Sequence, residues 1–321
     1  MSIIERALER LKHSPTPRPA GVAGHSESSA TAGPEARRPP EPAVLPLGEA
    51  VRPMPCRADR SVTIDFPSLR AAGMVPPGEE ERRFTEEFRV IKRALLKSTA
   101  NEGGPRNANV IMVTSALAAE GKTFVTINLA RGLALERDRE VVLVDGDVAK
   151  RHVTRLFKLD REPGLLDAVV GDDLSLSDVI CRTDQRSLYI LPAGTGHSEA
   201  TEDLGSGRTS ALVDALAADP RRLVILDAPP LLLSSEAGAL LALAGQVVVV
   251  VKCSGTPQSA VLDALSQVPE DKVVWLILNQ ADPTSGRGYG YYGYYGQYGQ
   301  YGQESSGGEE VAIERATGGT P

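Results

Sequence analysis

The sequence predicts an α/β fold: a mostly parallel sheet with helices on both faces, between a disordered N-terminal linker and a disordered Tyr/Gly-rich C-terminal tail. Three observations carry this. Short β-branched apolar runs recur at 110–114, 141–144, 188–191, 223–226, 246–251 and 273–278, nearly continuous as in strands buried on both faces. Stretches of helical character separate them, for example 122–136, 210–218 and 236–244, and strands alternating with helices build a parallel sheet. Finally, the apolar residues concentrate in the middle of the 321-residue chain and are scarce in roughly its first hundred and last forty positions, which gives one folded domain with appended ends.

Taken from the N-terminus, residues 1–12 predict a short amphipathic helix. Ile4, Leu8 and Leu11 recur at helical spacing, with Glu5, Arg6, Glu9 and Arg10 on the other faces. A helix this short is marginal alone in water, so its apolar stripe needs a docking surface. Residues 13–78 predict a flexible linker, rich in Pro, Ala, Gly, Ser and Glu, with a local element around 62–69. The folded domain is expected over 79–283. It opens with a helix over 79–96, whose Phe84, Phe88, Ile91 and Leu95 form an apolar stripe. Glu86, Arg89, Lys92 and Arg93 fall on its other faces, where spacing alone reads as a solvated, charge-paired surface. Beyond it, 284–321 predicts a disordered tail that holds seven of the eight tyrosines, Tyr289, Tyr291, Tyr292, Tyr294, Tyr295, Tyr298 and Tyr301, spaced by Gly and Gln.

The net charge of −7 argues against a general nucleic-acid binder, which carries a basic excess. Cys56, Cys181 and Cys253 are odd in number and form no C-x-x-C pair, which reads as free thiols of a reducing compartment. No run approaches the roughly 18 apolar residues of a membrane span, and the charged start does not read as a secretory signal. Any membrane association is therefore expected through a partner.

The chemistry lies at the ends of the predicted strands. The run 110–114 leads into Ala116-x-x-x-x-Gly121-Lys122-Thr123, the phosphate-loop pattern with Ala for its first Gly, in the strand–loop–helix setting that pattern requires. This makes the domain P-loop NTPase-like. The stretch Ala118, Ala119, Glu120, Gly121, Lys122, Thr123 and Phe124 is expected to hold ATP, its backbone N–H groups wrapping the phosphates at a helix N-terminus. Lys122 would face the β and γ phosphates and the Thr123 hydroxyl Mg²⁺. Two further runs end in Asp145-Gly146-Asp147 and in Asp227. In open α/β sheets ligands sit beyond the C-terminal strand ends, so these carboxylates should join the loop in one crevice. Asp227 and Asp145 are assigned to the metal and its water shell, and Asp147 to the base or to metal contact near the nucleophile.

A-x-x-x-x-G-K-T over 116–123, V-L-V-D-G-D over 142–147 and V-I-L-D-A-P-P over 224–230 resemble the Walker A, A′ and B motifs of bacterial tyrosine kinases. The resemblance covers about 80–282, and the tyrosine-rich tail extends it. The opening MSIIERALERLK and E-E-F-R-V-I-K-R at 86–93 are similar to the tyrosine autokinases of exosortase and exopolysaccharide loci. The resemblance implies autophosphorylation of the C-terminal tyrosines, often between subunits of a ring, and regulation of polysaccharide polymerisation and export. It implies an activating transmembrane co-polymerase as partner and a cytoplasmic position peripheral to the plasma membrane. Glu86, Arg89 and Lys92 match the family's E-x-x-R-x-x-R/K subunit contact, and Glu236 matches the carboxylate after the Walker B prolines; Asn279 matches the position that reads adenine in related nucleotide binders, its amide offering a donor and an acceptor, or else is a turn residue. The chain departs from the family at Val148-Ala149-Lys150-Arg151, where the basic pair is shifted and a proline is missing.

Other readings compete. A MinD/ParA-like ATPase switch carries a second lysine early in its phosphate loop, where this chain has Leu117. A non-enzymatic adaptor would keep the fold without the intact Lys122, Thr123, Asp145, Asp147 and Asp227. A small-molecule kinase would need a lid for which the short connections leave little room. The tail itself has a second reading, a self-associating sticky segment.

Overall fold

The computed structural model describes residues 54–99, 105–171 and 173–281; the expected N-terminal helix, the linker before residue 54 and the tyrosine cluster lie outside them. The strands are β1 (Ser61–Val62), β2 (Val110–Ser115), β3 (Glu140–Asp145), β4 (Cys181–Thr183), β5 (Leu188–Leu191), β6 (Arg222–Asp227), β7 (Gln246–Lys252) and β8 (Val273–Asn279). They form one sheet in the order β1-β4-β5-β3-β6-β2-β7-β8. Every neighbouring pair is parallel except β4–β5, which is antiparallel. The helices are α1 (Phe66–Ala71), α2 (Glu81–Thr99), α3 (Lys122–Leu133), α4 (His152–Leu156), α5 (Leu165–Val170), α6 (Leu176–Val179), α7 (Ala200–Leu204), α8 (Gly207–Ala217), α9 (Ser235–Leu243) and α10 (Gln258–Ser266).

The strands β2, β3 and β6 are buried at every residue, because each feeds a separate apolar core on either face. Val110, Met112, Val142, Val144, Val224 and Leu226 point to one; Ile111, Val113, Val141, Leu143, Leu223 and Ile225 point to the other. Two-sided burial explains why these runs lack apolar/polar alternation. The order β3-β6-β2 has a functional consequence. Pairing in register puts Asp145 of β3 beside Asp227 of β6 and Val113 of β2 beside the same Asp227, so the phosphate loop that follows β2 and both acidic strand ends are neighbours.

The expected linker over 13–78 does not extend that far. Residues 54–78 pack on the domain: β1 adds to the sheet beside β4, and Ile64, Leu69 and Val75 are buried in the core that also holds Phe88 and Leu95 of α2. The local chemistry is simple. Asp65 caps α1 by accepting from the Ser68 N–H at 3.0 Å, and a proline stands in the first helical turn. Composition concealed this strap, because its few apolar residues are anchored by the rest of the domain rather than by a run of their own.

Two further expectations change. Helix α2 begins at Glu81 and runs to Thr99, rather than spanning 79–96. The strand at 273–278 is present as β8 but is not buried on both faces: Trp275 and Ile277 pack inward, whereas Val274, Leu276 and Leu278 are exposed. Being the edge strand of the sheet, β8 alternates as a one-sided strand does. The short helices α4 to α7, α10 and the antiparallel β4 had no counterpart among the expected elements.

Candidate nucleotide site

Loop 116–121 turns back from β2 into α3, and glycine is required at its last step. Gly121 has φ 89°, and a Cβ there would fall 2.0 Å from Asn279 Nδ2, so neither the backbone angle nor the space suits a side chain. Ala119 is also left-handed, at φ 62°. Glu120, placed by the sequence among the nucleotide-holding residues, turns its side chain beneath the loop. It is buried, accepts from the Leu117 N–H at 2.7 Å and from the Thr256 hydroxyl. The Asn279 amide donates to the Glu120 carbonyl at 2.9 Å, and Gln280 Nε2 to the Ala119 carbonyl at 3.4 Å. The end of β8 therefore braces the loop from outside. The ring of Phe124 packs edge-on against Phe84 of α2 at 5.7 Å.

The polar side chains gather at the start of α3. Lys122 Nζ lies 2.7 Å from Asp147 Oδ2. Burial alone would lower the pKa of this lysine, but the carboxylates of Asp227, Asp147 and Asp145 outweigh it and raise the pKa, so Lys122 is a fixed cation. Asp227 is fully buried; it accepts from the hydroxyl of Thr123 through Oδ2 and from that of Thr126 through Oδ1, both at 2.9 Å. Its burial raises the pKa against the opposing pull of Lys122 and the two threonines. Asp145 is pushed up to about 7, first by burial and then by the neighbouring charge of Asp227. Its Oδ2 accepts from both the N–H and the hydroxyl of Thr154 at 2.7 Å, while Oδ1 is buried and has no partner among the described residues.

These features fit a magnesium-bound nucleotide. The loop runs into the N-terminus of α3, where backbone N–H groups favour a phosphate. A hydroxyl and two buried carboxylates form the oxygen-donor set that Mg²⁺ prefers, and the orphaned Asp145 Oδ1 needs a cation or water as partner.

Lys122, Thr123, Asp145, Asp147 and Asp227 are thus brought into one cluster, with Ala118, Ala119, Glu120, Gly121 and Asn279 at its loop. Glu86, Arg89 and Lys92 lie apart, on α2. Glu86 pairs with Arg89 at 2.9 Å on the exposed side, but Lys92 reaches α3 of its own chain, 3.3 Å from the Gly132 carbonyl, and pairs with Glu136 just beyond it at 2.7 Å. Of the shifted basic pair, Arg151 donates to the Asp160 carbonyl at 3.3 Å and Lys150 is exposed. Glu236 is bonded to Ser234 and Thr201. Thr126 and Thr154 were not foreseen. Thr126 had a signal, one turn beyond Thr123 on the same helix face; Thr154 had none, since its contact with Asp145 depends on where α4 packs.

A family model described as an AAA domain matches residues 108–270, more than half of the chain. EpsB of Ralstonia nicotianae is 32% identical over 208 residues, 64% of this chain and 27% of that protein. The succinoglycan biosynthesis transport protein ExoP of Rhizobium meliloti is 30% identical over 232 residues, 70% of this chain and 28% of that protein. The chain spans about a quarter of the length of these curated relatives. Among solved structures, the VpsO kinase domain is 27% identical with a TM-score of 0.54, covering 64% of this chain and 100% of that one. The kinase domain of the Escherichia coli tyrosine kinase ETK, at 24% identity and a TM-score of 0.54, covers 64% of this chain and 80% of that one and shares the fold. Phosphate loop, paired acidic strand ends and family model agree: the chain belongs to the AAA domain family, and its similar proteins include ones named as tyrosine-protein kinases.

Proposed function

We propose that this protein transfers the γ-phosphoryl group of Mg-ATP to tyrosine hydroxyls, and that its acceptors are Tyr289, Tyr291, Tyr292, Tyr294, Tyr295, Tyr298 and Tyr301 of its own chain. The observation that carries the reading is the meeting of one phosphate loop with three buried aspartates, in which Lys122 lies 2.7 Å from Asp147. Mg²⁺ would supply charge neutralisation on the transferring phosphoryl group. Thr123, Asp145 and Asp227 would hold it. Lys122 would turn from Asp147 to the phosphate oxygens, and Asp147, released from that pair, would accept the phenol proton. Gly121 and its neighbours would hold the phosphates through main-chain N–H groups, and Asn279 would stand at the adenine.

Further expectations belong to this reading. Glu86 and Arg89, exposed on α2, would contact a second copy, with Lys92 supporting the helix from behind, so that phosphorylation passes between subunits. A transmembrane polysaccharide co-polymerase would hold the protein at the cytoplasmic face of the membrane and activate it, coupling phosphorylation to exopolysaccharide polymerisation and export. Among the described residues no helix is long and apolar enough to cross a membrane. The test is to incubate the full chain with Mg-ATP and map phosphotyrosine by mass spectrometry, beside Lys122→Met and a chain cut after Gly288. Label on several tail tyrosines, lost in both variants, supports the proposal. ATP hydrolysis with no phosphotyrosine, with the membrane partner present, would instead assign an ATPase switch.

A further inference from the structure

The two oxygens of Asp145 are treated differently. Oδ2 takes both donors of Thr154, the backbone N–H and the hydroxyl, each at 2.7 Å. Oδ1 is buried without a partner among the described residues. Thr154 is in turn held from the other side, because the Ala193 N–H at the end of β5 donates to Thr154 Oγ1 at 2.9 Å. An N–H can only donate, so the threonine oxygen is the acceptor there and its own proton is aimed at Asp145. A directed chain follows, from Ala193 N–H through the Thr154 hydroxyl to Asp145 Oδ2, with Thr154 and Asp145 fully enclosed. Its acceptor lone pairs are used up on Oδ2, and the carboxylate cannot rotate without breaking two bonds.

We infer that Thr154 is a positioning residue that locks the Asp145 carboxylate and presents Oδ1 to the divalent cation or to a water in its shell. The inference rests on the magnesium-nucleotide reading of the site. Helix α4 is anchored by Val153, which is buried in the core, and this anchoring sets Thr154 against Asp145. Outer partners of metal-holding groups tune affinity in this way, typically by about 10–100-fold.

The test is binding of a fluorescent ADP analogue, N-methylanthraniloyl-ADP, to the full chain, titrated with and without Mg²⁺. Thr154→Val removes the hydroxyl at nearly constant volume; Thr154→Ser keeps it. The expected result is that Thr154→Val weakens binding with Mg²⁺ by about tenfold and leaves magnesium-free binding unchanged, while Thr154→Ser restores the wild-type response. Wild-type magnesium dependence in Thr154→Val overturns the inference, as does an equal loss with and without the cation, or failure of the serine variant. If Thr154→Val does not fold, Thr154→Cys is read by the same criteria, and a chain that folds with neither marks Thr154 as purely structural. Wild-type protein that shows the magnesium gain but forms no phosphotyrosine removes the kinase proposal and leaves this one standing; no magnesium gain at all removes both.

Discussion

Lys122 and Asp147 form a 2.7 Å ion pair, both side chains nearly sealed from solvent. Strong attraction at low dielectric couples them, yet each was desolvated to reach the other, so the pair adds little net stability while either partner alone is costly. The lysine also offsets the charges of Asp227 and Asp145. Lys122→Met should therefore cost about 3–5 kcal/mol in urea unfolding, and adding Asp147→Asn should recover much of it. Neither variant should form phosphotyrosine. A single variant as stable as wild type would show that the ion pair does not exist in solution.

Gly121→Ala addresses the loop. A left-handed alanine costs roughly 1–2 kcal/mol, and its Cβ would collide with Asn279 Nδ2. ATP binding, followed by calorimetry, should be largely lost. Adding Asn279→Ala opens the space without relaxing the backbone but removes the amide expected at the adenine, so urea stability should recover in part while ATP binding stays low. Unchanged binding in Gly121→Ala would contradict the loop geometry.

The strap at 54–78 makes a prediction about stability at a distance from the site. Leu69 is 1% exposed, and a buried leucine cut to alanine loses about 2–5 kcal/mol. Leu276, 57% exposed on β8, should lose within about 0.5 kcal/mol when treated the same way. Equal, small effects in chemical unfolding would return 54–78 to the status of linker.

His197 gives a pH-dependent readout. Its Nε2 lies 2.5 Å from Asp203 Oδ2, and this bond, with one to the Thr195 carbonyl, raises its pKa above the ordinary 6.5. A raised value in the folded state means that the stabilisation is complete at low pH and fades as pH climbs through the folded pKa. The His197 ring signals in an NMR titration should have their midpoint above 6.5, and Asp203→Asn should bring it down. A midpoint unmoved by that substitution would mean that the pair is not formed.

The parts of this protein that could be read from the chain are those whose signal is local. A fully enclosed strand is a near-continuous apolar run wherever it sits, so 188–191 was placed to the residue and 110–115, 140–145 and 222–227 to within one. The loop was legible for the same reason: Gly121, Lys122 and Thr123 are consecutive in a local pattern at the turn from β2 into α3. That Asp145 and Asp227 follow apolar runs placed them at strand ends. That they are neighbours, with Asp145 paired in register to Asp227, came from strand order, a long-range property with no local code. The same holds for the strap, for the exposed face of β8, for Glu120 turned under its loop, and for Thr154 reaching Asp145. Each depends on which segment packs against which, and burial free energy settles that only when distant parts of the chain meet.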